Sequence, residues 1–142
     1  MKIAVFGATG GIGKFVVKHA LEKGYEVNAY VRTPDKLKID NKNLKVFVGQ
    51  VSDYEKIKET INGCDGVIIA LGISMKFGYE DTSSLIAHEN IIKAMNETNV
   101  KRLIDWSTPS IKYKEDKPSF ATIVPGILAS IFLPKAKKFL KK

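Results

Sequence analysis

Cysteine is nearly absent: Cys64 is the one thiol in 142 residues. No intrachain disulfide can form and no cysteine cluster can hold zinc, which excludes a disulfide scaffold and a zinc module. Histidine is almost as scarce. His19 and His88 are the only two, and neither has a second histidine or a cysteine at ligand spacing, so no metal site is expected. No apolar run reaches the ~18 residues of a spanning helix. The opening residues, MKIAVFGATG, meet glycine after a short apolar run and do not read as a secretory leader. Internal repeats and low-complexity linkers are missing as well. The expected setting is cytoplasmic.

What is present is ordinary for a globular chain. Apolar residues make up 44% and charged residues 27%. At ~150 residues per domain, the whole chain, 1–142, is expected to be one domain. The net charge of +8 suggests nucleic acid at first sight. Its distribution argues otherwise: the last nine residues carry five lysines and no acid. The body is only mildly basic, and no specific nucleic-acid partner is expected. A basic tail of this kind is a solvated end or a contact with an anionic surface.

Short apolar runs alternate with amphipathic stretches. Residues 2–6, 26–31, 44–48, 66–71 and 102–106 read as strands. Residues 12–23 place Ile12, Val16, Val17, Ala20 and Leu21 on one helical face, with Gly24 as the stop. Ser52-Asp53-Tyr54-Glu55 has the form of a capping box, followed by inward Ile57 and Ile61. A third helix is expected over 83–97, with Leu85, Ile86, Ile91, Ile92 and Met95 as its buried stripe. Strand and helix in alternation predict an α/β Rossmann-like fold: a parallel sheet of about five strands in the order 3-2-1-4-5, covered on both faces. A site then falls at the carboxyl ends of the strands, near the switch point between strands 1 and 4. Residues 119–142 read as a helical C-terminal segment interrupted by Pro125 and Gly126. Its apolar stretch, 119–133, is expected to pack on the sheet, to join copies into a homo-oligomer, or to lie on a membrane surface.

The chemistry starts at residues 7–13, Gly-Ala-Thr-Gly-Gly-Ile-Gly. This stretch follows the first strand and opens the first helix. Gly7 turns the chain off the strand, Gly10 lets backbone N–H groups approach a pyrophosphate, and Gly13 lets the helix pack close to the sheet. Thr9, Gly11 and Ile12 complete the loop. The helix N-terminus adds partial positive charge for phosphates. A purely structural turn is the alternative; the flanking strand and helix favour a dinucleotide site. An NAD site wants an acid at the end of the second strand. Here that strand ends Ala29-Tyr30-Val31-Arg32, and Glu26 lies at its beginning. Arg32 is either a solvated loop cation or the partner of a 2′-phosphate. Its position favours the phosphate, and hence NADP (NADPH) as cofactor. Lys36 is better read as a solvated lysine than as a second partner.

With residues 7–13, Arg32, 65–72 and Ser107 in place, the chain resembles the atypical short-chain dehydrogenase/reductase branch. It is most similar to the NAD(P)H-binding group containing NmrA-like proteins and flavin/biliverdin-IXβ reductases. The resemblance covers nearly all of residues 1–118. It implies that Gly49, Gln50 and Val51 lie by the adenine, with Gln50 where the family usually has aspartate. It implies that Ala70, Leu71 and Gly72 lie under the nicotinamide-side ribose and that Ser107 faces the nicotinamide as the catalytic residue. A serine that merely caps the chain is the alternative. The family continues into further segments, so the chain is expected to be shortened at its C-terminus. Tyr113 and Lys117 match the superfamily's Tyr-x-x-x-Lys pair literally, but they begin six residues after Ser107 and end against Pro118, a chance match in a loop.

The remaining candidates carry bland readings. His88 reads as a surface or partly buried helical histidine, Cys64 as a buried filler, and Trp106 as core or pocket wall. Ser74, Met75, Lys76 and Phe77 are either pocket lining or an ordinary loop. The functions expected are reduction of a small conjugated acceptor such as a flavin or quinone by NADPH, redox sensing by a non-catalytic NADP-binding regulator, or the residual binding of an inactive fragment.

Overall fold

The computed structural model describes residues 1–72 and 83–106. The elements in chain order are β1 (Lys2–Phe6), α1 (Gly11–Glu22), β2 (Glu26–Val31), a 3-10 turn (Pro34–Lys36), β3 (Leu44–Val48), α2 (Tyr54–Ile61), β4 (Gly66–Ile69), α3 (Ser83–Glu97) and β5 (Leu103–Asp105). The five strands are parallel in the order β3-β2-β1-β4-β5. Phe6 pairs with both Tyr30 and Ile69, and Ile69 pairs with Asp105. The carboxyl ends of β1, β2, β4 and β5 therefore finish along one edge. Strands 4 and 5 are shorter than the sequence suggests, ending at Ile69 and Asp105.

Strand alternation sorts the core into two layers. Ala4, Phe6, Tyr30, Phe47, Val67 and Ile69 face α2 and α3, while Ile3, Val5, Val27, Ala29 and Val31 face α1. β1 and β2 lie against both layers, which is why the apolar residues of β1 run continuously rather than alternating. Among the described residues α1 is the one helix on its face. It buries Gly13, Val17, Ala20 and Leu21, while Ile12 is exposed. Its end is closed by the Tyr25 N–H on the Ala20 carbonyl and the Gly24 N–H on the Leu21 carbonyl, the paired bonds that satisfy terminal carbonyls.

Two helices correct the sequence reading. The cap of α2 is Asp53, whose carboxylate accepts from the Lys56 N–H at 3.2 Å. Ser52 does not fill that role; an ionised oxygen one residue closer to the helix does. In α3 the buried stripe is Ala87, Ile91, Ala94 and Met95. Ile86 and Ile92 are 42% and 47% exposed. Small alanines suit the close packing of α3 against α2, so the buried line runs through them rather than through the bulkier side chains. Trp106 is half exposed and is not core. The segments 73–82 and 107–142 lie outside the described residues, and with them the readings made on residues 74–77, Ser107, Tyr113, Lys117 and the apolar stretch 119–133.

One buried polar residue ties the layers. Asn28 on β2 is 3% exposed and donates from Nδ2 to the Thr60 carbonyl at 2.8 Å. The side chain satisfies a carbonyl at the end of α2 that would otherwise meet the apolar core. Replacing Asn28 with alanine should cost about 1–3 kcal/mol, the usual penalty for an orphaned buried group, read as a lower urea midpoint at unchanged slope. Beside it, burial pushes the Cys64 thiol above its ordinary range. The native protein should therefore resist iodoacetamide at mildly alkaline pH, whereas the urea-unfolded chain is alkylated at once.

Candidate functional site

At the carboxyl end of β1 the backbone turns sharply. Gly7 has φ 80°, and a Cβ placed on it would sit 2.6 Å from the Ala70 carbonyl oxygen. The first loop is thus pressed against the end of β4, where the Ala70 N–H donates to the Phe6 carbonyl. The Gly10 N–H closes the turn on the Gly7 carbonyl at 2.9 Å. A Cβ on Gly13 would meet the same Gly7 carbonyl oxygen at 2.1 Å. Glycines at both positions let α1 begin directly over the strand end.

The N-terminus of α1 is bare. Gly10 supplies no side-chain cap, and the first turn has no acid. Among the described residues the N–H groups of Gly11, Ile12 and Gly13 have no partner. Gly10, Gly11 and Ile12 are exposed, and Thr9 is half-buried. Free amides and the positive end of a helix dipole make an anion site. The residues present therefore fit a diphosphate: among the described residues the donors are unused, and the first turn carries no carboxylate to oppose it.

Arg32 follows the last residue of β2 and is exposed, with no partner among the described residues. Glu26 stands at the other end of the same strand. The neighbouring loop starts at Gly49, whose N–H donates to the Val31 carbonyl at 3.1 Å. Gln50 is exposed and Val51 packs partly against the core. The Tyr30 hydroxyl donates to the Gln50 carbonyl at 2.7 Å. Burial, followed by the Asp53 charge, pushes the Tyr30 phenol up to about 12, so it remains a donor at neutral pH. At the end of β4, Ala70 is buried, Leu71 is half-buried and Gly72 is open.

The loop after β1, Arg32, residues 49–51 and residues 70–72 thus share one edge. Ser107 lies outside the described residues. Two features of this edge carried no signal in the spacing of the sequence. Asn90 on α3 donates to the Val51 carbonyl at 2.8 Å. His88 lies between the Ser84 carbonyl, 2.5 Å from Nδ1, and Asp105 at the end of β5, 3.3 Å from Nε2. Both need the α3–sheet packing to bring distant residues together. Among the described residues no group of three His, Cys, Asp or Glu could hold a metal ion, and no helix is long and apolar enough to cross a membrane.

A family profile described as NAD(P)H-binding matches residues 7–139. The chain belongs to that family. Cinnamoyl-CoA reductase 1 of Petunia hybrida is 32% identical over 131 residues, 86% of this chain and 39% of the relative. Anthocyanidin reductase of Arabidopsis thaliana is 27% identical over 122 residues, 75% of this chain and 36% of its own length. The chain thus spans less than half of the curated relatives it matches. An oxidoreductase from Lactococcus lactis superposes on 100% of this chain and 64% of its own, with a TM-score of 0.66 and 22% identity. A wide-type short-chain dehydrogenase/reductase from Veillonella parvula, solved in complex with NADP, covers 94% of this chain and 64% of its own, at TM-score 0.62 and 18% identity. Such likeness establishes the Rossmann-like fold.

Two glycines of the loop differ sharply in the space around them. Gly13→Ala should lower stability by more than 2 kcal/mol, of the order seen for overpacked sites, because its methyl meets fixed backbone. Gly11→Ala, with nothing within 4 Å of the new Cβ, should leave the thermal midpoint nearly unchanged. Equal effects of the two substitutions in thermal melts would contradict the packing described.

Proposed function

We propose that residues 1–142 form one domain that binds NADPH and reduces a small conjugated acceptor such as a flavin or quinone. The observation that carries this reading is the bare N-terminus of α1, set over the end of β1 with Arg32 one strand away. The family match supports dinucleotide binding. Two relatives named as reductases, for cinnamoyl-CoA and for anthocyanidin, support reduction as the reaction class.

When bound, the nicotinamide supplies hydride. The chain's own residues do the holding. The Gly11, Ile12 and Gly13 N–H groups would donate to the diphosphate, with Gly7, Thr9 and Gly10 shaping the loop around it. Arg32 would pair with the 2′-phosphate, where a planar guanidinium can bind two oxygens at once. Gln50 and Val51 would border the adenine. Ala70, Leu71 and Gly72 would lie under the second ribose. Ser107 would hydrogen-bond the carboxamide or the acceptor.

Arg32→Ala should weaken NADPH roughly ten- to a hundred-fold and NADH little, since a charge-assisted bond contributes ~1.5–3 kcal/mol. Titration with each dinucleotide checks it, and equal losses would refute the phosphate contact. Gly10→Val should abolish binding of both while the far-ultraviolet circular dichroism is retained. NADPH oxidation assayed with flavin and quinone acceptors tests the reaction itself; binding without turnover on any acceptor would leave a dinucleotide-binding protein and refute the reductase.

A further inference from the structure

The loop after β3 is held from behind by two side chains from different elements. The Gln50 carbonyl accepts from the Tyr30 hydroxyl at 2.7 Å and from the Asp53 N–H at 2.9 Å. The next carbonyl, that of Val51, accepts from Asn90 Nδ2 at 2.8 Å. Tyr30 cannot swing away easily. It is 4% exposed, and its ring packs on Phe6 with centroids 5.2 Å apart. The fit is close enough that a Cβ on Gly49 would lie 2.2 Å from the Tyr30 hydroxyl oxygen. A side chain at 49 would thus displace the phenol that orients the loop.

Those two bonds have a consequence for the loop's outer side. In a trans peptide the C=O and the following N–H point in opposite directions. With the Gln50 carbonyl turned back to Tyr30, the Val51 N–H is turned the other way. Among the described residues that N–H has no partner. The Gln50 side chain beside it is exposed and carries both a donor and an acceptor. Together they present a backbone donor next to an amide.

Resting on the reading of residues 49–51 as the adenine border, we propose that Tyr30 and Asn90 are positioning residues that aim the Val51 N–H and the Gln50 amide at the base of the dinucleotide. Adenine offers an acceptor at N1 beside a donor at N6. That pattern complements a backbone N–H beside a side-chain carbonyl. Hypoxanthine reverses it, with N1–H beside a carbonyl oxygen, and leaves the Val51 N–H facing a donor. Neither Tyr30 nor Asn90 touches the base; they act through the two carbonyls they hold.

The test is the ratio of affinities for NADPH and its hypoxanthine analogue, measured on the full chain. The wild type should prefer adenine by about tenfold, as one or two neutral hydrogen bonds allow. Tyr30→Phe keeps the ring packing and removes the donor. Asn90→Asp keeps the size and faces the Val51 carbonyl with a carboxylate. Each should reduce the preference to within about threefold, with reduced nicotinamide mononucleotide binding unchanged. A merely structural loss would weaken both dinucleotides equally and leave the ratio intact. Thermal melts identify which variant is folded, and the ratio is read on that one. An unchanged ratio in a folded variant, or a wild type that binds both dinucleotides equally, overturns the proposal and leaves the NADPH reading standing. A wild type that binds neither overturns both.

Discussion

The described fold depends on a close backbone approach at the carboxyl end of β1. Gly7 lies against the Ala70 carbonyl, and Gly13 lies against the carbonyl of Gly7 itself. Three elements meet there with no side chain between them: the loop after β1, the first turn of α1 and the end of β4. This contact places the start of α1 over the edge where the strand order reverses. It also leaves the amides of that turn without a cap. In most helices those donors are satisfied by a side chain, and here the sequence supplies none. The same constraint that packs the helix thus keeps an anion site open.

From that point the edge divides by strand. Arg32 and the loop at 49–51 follow β2 and β3, while residues 70–72 follow β4 on the other side of β1. A dinucleotide crossing the switch point would meet Arg32 and the loop at 49–51 on one side, and the open backbone of Gly72 on the other. The α2–α3 layer is more than a cover for the sheet. Through Asn90 it reaches the loop after β3, and through His88 it reaches the end of β5. One helix thereby touches both halves of the edge. Lys58 and Glu97 join α2 to α3 at 2.7 Å, but both are well exposed, so apolar burial around Ile57, Ile61 and Ile91 does most of the holding.

Residues 2–6 were legible because a strand buried on both faces reads as a nearly continuous apolar run, and 26–31 and 44–48 because short runs rich in valine and aromatics stand between turn residues. The glycine loop was legible because three glycines between a strand and a helix have few other uses. The stripe of α3 was legible only in part, at Ile91 and Met95. Leu85, Ile86 and Ile92 are more hydrophobic than Ala87 and Ala94, yet the alanines are the ones buried. Periodicity shows that a helix has an apolar face without saying how closely it approaches its neighbour. Of the two readings of Trp106, core or pocket wall, its half exposure removes the first.

The sequence by itself determined the α/β class, the strand order, the glycine loop and the presence of a cation rather than an acid after β2. These follow from local pattern, because strand runs, caps and turn glycines are set by residues near one another in the chain. Tertiary structure decided the orientation of the loop after β3. Tyr30 is twenty residues from Gln50, and Asn90 is thirty-nine from Val51. No spacing rule connects such pairs; they meet only because β2 lies beside β3 and α3 packs on the same face. The direction of a single peptide N–H depends on both, so it exists as a property of the folded chain and not of any segment within it.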